Sequence, residues 1–231
     1  MKTQIVYEDN DIVVINKPAG LATQTARVGQ PDVVSELKNY LRSPYLGIIH
    51  RLDQPVEGLL VFAKNKRAAA ALSTQLQSTE GVLNKQYYAV FCGKPAAEKG
   101  RLVDYLRKDT LGKAAVVPAD TPGAGKALLS YHVLQTLTVG DDEISLADIQ
   151  IDTGRFHQIR AQMSHSGMAL LGDVKYGDGT TLECSRRLGV KAVALCAYKL
   201  EFCHPVTGKD LSFHICPHGG IFSRFSLSFK E

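Results

Sequence analysis

The sequence predicts an α+β fold built on a mixed, mostly antiparallel β-sheet with flanking helices. Three observations carry this. Short β-rich apolar runs dominate the chain, the three or four helical stretches among them keep no regular strand-helix-strand rhythm, and two of the longest runs straddle the tight turn Gly140-Asp141-Asp142. At 231 residues the folded chain is expected to bury roughly 70% of the surface its unfolded form exposes, enough for a core without disulfide or metal staples. A single domain over residues 1–231 is the expected organisation.

The opening reads as two strands, Ile5-Val6-Tyr7 and Ile12-Val13-Val14-Ile15, joined by the turn Asp9-Asn10-Asp11 and closed by Lys17-Pro18-Ala19-Gly20. Pro31 suits the first turn of a helix that carries Val33, Val34, Leu37, Tyr40 and Leu41 at helical spacing, and Pro44 is placed to stop it. After Ile48-Ile49 comes a polar loop, His50 to Gly58, and then the apolar strand Leu59-Leu60-Val61-Phe62-Ala63. Asn65 can cap a following helix whose Ala69, Leu72 and Leu76 share a face. Strands are expected at residues 86–91, 127–137, 144–151, 192–202 and 211–215. A helix of about ten residues follows Gly154, with Ile159 and Met163 turned to the core and Gly167 near its end. The stretch from Lys108 to Lys126, with Pro118, Pro122, Gly123 and Gly125, reads as a loop.

Composition excludes several classes. With 45% hydrophobic and 22% charged residues the chain is too apolar to be disordered, and no apolar run approaches the ~20 residues of a membrane span. The N-terminus lacks the apolar core of a signal peptide. Five cysteines form no CxxC pair, which suits reduced thiols and a cytoplasmic location. The net charge of +4 is only weakly basic, but it is unevenly spread. Residues 50–108 hold ten basic against five acidic side chains and residues 150–231 ten against seven, whereas residues 109–149 hold two against six.

Two polar clusters could carry chemistry. The loop His50-Arg51-Leu52-Asp53 concentrates three polar or charged side chains between apolar strands, although a lone loop Asp is more often a turn residue. In Thr153-Gly154-Arg155-Phe156-His157-Gln158-Ile159-Arg160, two guanidiniums lie near one end of a helix, where they can pair with a buried carboxylate or grip phosphate. Gln158 and Arg160 are two apart and so point differently, which puts at least one of them inward. Cys203, His204, His214, Cys216 and His218 lie close in sequence, but no CxxC pair accompanies them and Pro205 and Pro217 suggest turns, so no metal is expected. Phosphate-loop, dinucleotide and GxSxG signatures are absent, and no cofactor is expected.

These clusters belong to a longer ordered pattern. Glu8-Asp9-Asn10 with Val14 to Gly20, His50-Arg51-Leu52-Asp53 with Gly58 to Lys64, Lys85-Gln86-Tyr87-Tyr88-Ala89, Thr153 to Arg160 with Leu170-Leu171-Gly172-Asp173 and Tyr176-Gly177, and Phe202-Cys203-His204-Pro205-Val206-Thr207-Gly208 follow one another along the chain. In that order they resemble the RluA-type family of RNA pseudouridine synthases over nearly the whole length. One departure stands out: the family usually has Thr-Ser-Gly after the catalytic Asp, where this chain has Val56-Glu57-Gly58.

The resemblance implies a pseudouridine-synthase catalytic domain with an active-site cleft and no accessory N-terminal RNA-binding domain. It implies isomerisation of uridine to pseudouridine in ribosomal or transfer RNA, without cofactor, by a monomer. Asp53 is then the essential carboxylate, Arg160 the arginine that pairs with it, and Tyr87 the active-site tyrosine that stacks on the base or accepts a proton. His50, Arg51, Arg155, His157 and Gln158 are the residues expected to contact RNA, whose target base must be flipped out of its stack. The competing reading is an RNA-binding or ribosome-assembly module that keeps the fold with lost or altered catalysis.

Overall fold

The computed structural model describes residues 1–25, 29–78 and 82–227. In chain order the elements are β1 (Gln4–Glu8), β2 (Ile12–Lys17), α1 (Val33–Leu41), β3 (Gly47–Ile48), β4 (Glu57–Ala63), α2 (Lys66–Gln77), β5 (Asn84–Cys92), β6 (Lys99–Lys108), β7 (Ala114–Val116), β8 (Gly125–Val139), β9 (Asp142–Ile151), α3 (Gln158–His165), α4 (Gly179–Arg187), β10 (Leu195–Cys203) and β11 (Asp210–His214). The chain divides into two compact units. One comprises Met1–Lys85 with Cys196–Pro217, the other Gln86–Leu195 with His218–Glu231.

In the first unit β1 and β2 pair antiparallel across the Asp9-Asn10-Asp11 turn, β2 pairs antiparallel with β4, and β10 with β11. A parallel ladder joins β4 to β10, with Glu57 opposite Cys196 and Gly58 opposite Ala197. β2 and β4 are buried along their whole length, which is why Ile12 to Ile15 and Leu59 to Ala63 read as continuous apolar runs and not as alternation. Helix α2 covers one face: Ala68 and Leu72 are buried against Ile12, Val14, Leu59 and Val61, with Ala69 and Leu76 beside them. Asn65 caps it, its Oδ1 accepting the Ala68 N–H at 2.9 Å. Gly58 has no alternative. Its φ is +131°, and a Cβ there would sit 2.5 Å from the backbone N and O of Ala197.

Helix α1 is capped by Asp32, whose Oδ1 accepts the Ser35 N–H at 2.7 Å. It buries Val33, Val34 and Leu37, but Tyr40, read from its spacing as part of that stripe, is exposed. The helix stops at Arg42 in the left-handed conformation, ahead of Pro44.

The second unit is an antiparallel meander in which β5 pairs with β9, β9 with β8, β8 with β6 and β6 with β7. Gly140, at φ 62°, supplies the left-handed residue of the β8/β9 turn. The expected loop from Lys108 to Lys126 contains β7 and the start of β8, and β6 and α4 have no counterpart in the sequence reading. Helix α3 turns Ile159 and Met163 inward as expected, yet it also buries Gln158, Arg160, Ala161 and Gln162. The strand-dominated α+β class and the predominance of antiparallel pairing hold.

Candidate functional site

The Asp53 loop of the first unit is pinned through its backbone by the segment that follows β2. Thr23, itself buried, accepts the Leu52 N–H on Oγ1 at 3.2 Å and donates to the Leu52 carbonyl at 2.9 Å. The Gln54 carbonyl accepts the Gly20 N–H at 2.8 Å, and the Gln54 side chain returns a bond to the Gly20 carbonyl at 3.0 Å. The Asp53 carbonyl accepts Val56 N–H at 3.0 Å, closing the turn. The residues on both sides of Asp53 are therefore fixed through their backbone. Replacing Thr23 by Val leaves the Leu52 N–H and C=O without their buried partner, so we expect a loss of about 1–3 kcal/mol in urea unfolding, with kcat falling more than KM changes.

Beneath the loop lies a side chain the sequence reading quoted but gave no role. Lys17 is fully buried at the end of β2, and its ammonium donates to the carbonyls of Leu21 at 2.7 Å, Pro18 at 3.0 Å and Gln54 at 3.2 Å. Burial pulls its pKa down to about 8, against the attraction of the Asp53 and Glu57 carboxylates. Glu57, the residue that departs from the family pattern, is also buried and faces this ammonium as a second counter-charge. The departure thus adds a negative charge under the loop and not on its solvent side.

The sign of the pH effect follows. Because the folded pKa of Lys17 lies below the unfolded value of 10.5, the unfolded chain holds a proton between pH 8 and 10.5 that the folded chain has released. Lys17 therefore penalises the fold below pH 8, and the penalty is lifted as the pH rises. Relative to a Lys17→Met variant, the wild type should gain about 3 kcal/mol in urea unfolding between pH 7.5 and 10.5. Equal slopes for the two proteins would show that the ammonium titrates normally.

His50 and Arg51, expected to contact RNA, differ sharply. His50 is half-buried, and desolvation with the nearby Lys85 charge pushes its imidazole well below its ordinary pKa, so it is neutral near pH 7 and its Nε2 faces the Val61 N–H at 3.5 Å. Lys85, likewise lowered to about 8 by burial, is a second lysine whose character the sequence hides. Arg51 is exposed.

In the second unit Tyr87 is buried on β5 opposite Ile149 of β9. Arg160 is buried on α3, and its guanidinium makes a bidentate pair with the fully buried Asp173, Nε to Oδ2 and Nη2 to Oδ1 both at 2.7 Å. Its Cζ lies 5.0 Å from the Tyr176 ring centroid. Asp173 also accepts the backbone N–H groups of Lys175 and Tyr176, so this carboxylate organises the turn after α3. Gln158 is inward as well: its Oε1 accepts from Thr153 Oγ1 at 2.8 Å and Arg155 N at 2.9 Å, while its Nε2 donates to the Leu128 carbonyl. These bonds hold the loop ahead of α3. Arg155 and Phe156 are exposed, and His157 is half-buried at the helix start.

Among the described residues, two groups of side chains bring three ligand-type atoms within 4.8 Å of one another: Cys92, Asp142 and Cys184, and Asp9, Asp11 and His204. The first holds the buried Cys184 thiol, raised to about 12 by burial and by Cys92, beside an Asp142 already paired with Arg187. In the second, His204 Nδ1 accepts the Val206 and Thr207 N–H groups and its Nε2 meets Asp9 Oδ2 at 2.8 Å. Internal hydrogen bonds account for the histidine in full, and the arrangement ties the turn after β10 to the β1/β2 turn.

Known proteins resemble this chain over most of its length. Residues 11–165 match the family model described as RNA pseudouridylate synthase. The chain is 36% identical to ribosomal large subunit pseudouridine synthase D of Vibrio parahaemolyticus, over 91% of its own length and 66% of that protein's. It is 33% identical to tRNA pseudouridine synthase C of Haemophilus ducreyi, covering 90% and 88% of the two chains. An uncharacterized RNA pseudouridine synthase of Bacillus subtilis, YhcT, is 32% identical over 88% of this chain and 65% of its own. The chain thus spans about two thirds of the length of several of the curated relatives it matches. Among solved structures, human RNA pseudouridylate synthase domain containing 4 superposes with a TM-score of 0.73 at 25% identity, over 95% of this chain and 91% of the other.

Proposed function

The chain belongs to the RNA pseudouridylate synthase family, and from that premise we propose that it isomerises uridine in ribosomal or transfer RNA to pseudouridine, with Asp53 as the essential carboxylate. The observation that carries the proposal is the pinned loop: Thr23, Gly20 and Lys17 hold the backbone on either side of Asp53 in place. A group that must meet a reacting ribose needs that kind of fixed support.

The reaction breaks the bond between N1 of uracil and C1′ of the ribose, turns the base over, and forms a bond from C5 to C1′. The proton leaving C5 is balanced by the one gained at N1, so substrate and product are isomers and no redox partner enters. A carboxylate can serve this sequence by attacking C1′ or by helping to withdraw a ribose proton, and both roles need Asp53 ionised. Tyr87 is the family-matching aromatic for the flipped base. Arg160, already fixed by Asp173, supplies a guanidinium whose orientation is set before substrate binds. The five free cysteines suit action in a reducing cytoplasm.

The test is to incubate the protein with ribosomal and transfer RNA from cells lacking its gene, digest the RNA, and separate the nucleosides by chromatography with mass detection. Pseudouridine should appear at one or a few positions at the expense of uridine with no change in mass. A product heavier by one water would indicate hydrolysis and sink the proposal. Binding of these RNAs without any isomer formed would instead favour an assembly module.

A further inference from the structure

On the second unit, next to the start of α3, lies an aromatic stack that neither the fold nor the chemistry at Asp53 requires. The rings of Phe156 and His157 are stacked, with centroids 3.7 Å apart and planes inclined by 21°. Phe156 is 43% exposed. A single exposed phenylalanine means little, but this one is held in place. His157 takes φ 52°, the left-handed region that a histidine enters only at a cost, and so turns its ring under its neighbour's. Its Nδ1 lies 2.8 Å from the Tyr176 hydroxyl, whose oxygen also accepts the Ala114 N–H at 2.6 Å. The stack is therefore anchored to β7 through hydrogen bonds, on a ring that Arg160 braces from within.

Cations surround the exposed end. The Lys108 ammonium lies 4.8 Å from the Phe156 centroid, and that of Lys113 lies 5.8 Å from the Tyr176 centroid. Arg155 is exposed on the same loop, its Nε bonded to the Lys126 carbonyl at 2.9 Å. Since His157 covers one face of Phe156, the Lys108 ammonium occupies the other. That cation contact at an exposed site is worth only about 2- to 5-fold in an equilibrium constant. A nucleobase stacked on an aromatic side chain is worth roughly 5- to 150-fold. The base wins the face, and the displaced ammonium is then next to the phosphate of the nucleotide that displaced it.

We propose that the Phe156/His157 stack is a subsite for one unpaired nucleobase of RNA, with the adjoining phosphates taken by Lys108 and Lys113. This rests on the reading that the chain acts on RNA, and it assigns a nucleotide contact to the second unit. Stacking gives the subsite tolerance of base identity, so it contributes affinity and strand path more than sequence choice.

The probe is a fluorescein-labelled oligouridine with one 5-iodouridine, used for anisotropy titration and, after irradiation, for mapping of the cross-linked peptide. Phe156→Leu should raise Kd about tenfold and abolish the cross-link to the 155–157 peptide, whereas Phe156→Trp should keep both. Lys108→Ala should raise Kd a few-fold and flatten the slope of log Kd against log salt by about 0.7, the value for one phosphate on a single strand. An unchanged Kd for Phe156→Leu with cross-links only elsewhere would overturn the proposal. So would a concentration-dependent dimer that Phe156→Leu dissolves while oligouridine affinity stays constant, since the ring would then be a self-association contact. Pseudouridine formation, measured separately, keeps the two readings distinct: a wild type that cross-links at Phe156 but makes no isomer fails as an enzyme and retains the subsite.

Discussion

Asp53→Asn is expected to lower pseudouridine formation by at least about a thousandfold while leaving RNA affinity within a few-fold. The substitution keeps size and shape and removes only the negative charge, so the amide can neither attack C1′ nor take up a proton. The loop should survive it, because the bonds that pin this segment run through the backbone of Leu52, Asp53 and Gln54 to Thr23, Val56, Gly20 and Lys17. Lys17 does respond. Asp53 is one of the two carboxylates that raise its pKa, so its removal lets burial pull the ammonium lower still. Stability below pH 8 should therefore fall modestly, with Glu57 left as counter-charge. Affinity for RNA should hold or improve slightly, since a carboxylate facing a polyanion is repulsive. The check is nucleoside chromatography with mass detection after single-turnover incubation, beside a filter-binding titration of the same RNA. Undiminished turnover by the Asn variant would remove Asp53 from the mechanism.

What could be read in advance, and what could not, divides along physical lines. β2 and β4 were legible because both faces are buried, so each holds an unbroken apolar run, Ile12 to Ile15 and Leu59 to Ala63. The cap and stripe of α2 were legible because Asn65 and the spacing of Leu72 and Leu76 report on a single covered face. Helix α4 was not, because what it buries is Thr181, Cys184 and Ser185, small groups satisfied by hydrogen bonds. Ser185 Oγ donates to the Thr181 carbonyl and accepts the Gly172 N–H, contacts with no hydrophobic signature. β6 escaped notice because one of its faces is exposed and the other mostly only half-buried, with Val103 out and only Leu106 buried. For the proposed site, motif order alone names Asp53, Tyr87 and Arg160. Yet Lys17 and Asp173 carried no mark of their roles, since a lysine's default is solvent and a carboxylate's partner thirteen residues away is set by tertiary packing. The loop division at residue 108 also hid the local charge: Lys108 and Lys113 flank one turn, though a count by segments puts them in regions of opposite sign.

Asp173→Ala should destabilise the protein by about 3–5 kcal/mol, a large share of the ~5–15 kcal/mol that holds a typical domain folded. The magnitude follows from what is left behind. The Arg160 guanidinium is buried and loses both bonds of its bidentate pair, and the Lys175 and Tyr176 N–H groups lose their acceptor. Arg160→Met strands the opposite charge on a carboxylate with no exposure and should cost a similar amount. Replacing both, as Arg160→Met with Asp173→Leu, removes the unpaired charge along with the pair, and much of the lost stability should return, because a buried ion pair is worth little against apolar groups of similar volume. A double-mutant cycle in urea unfolding measures this directly. The cycle also separates two roles for Arg160. If the guanidinium serves only to hold α3 against the Asp173 turn, the rescued double variant should form pseudouridine at a near-normal rate. If it acts on the reaction, as its motif position implies, the double variant should be folded and still inactive. We expect the second outcome, because an ion pair kept for stability alone is readily replaced by packing, whereas a guanidinium needed for chemistry has no apolar substitute.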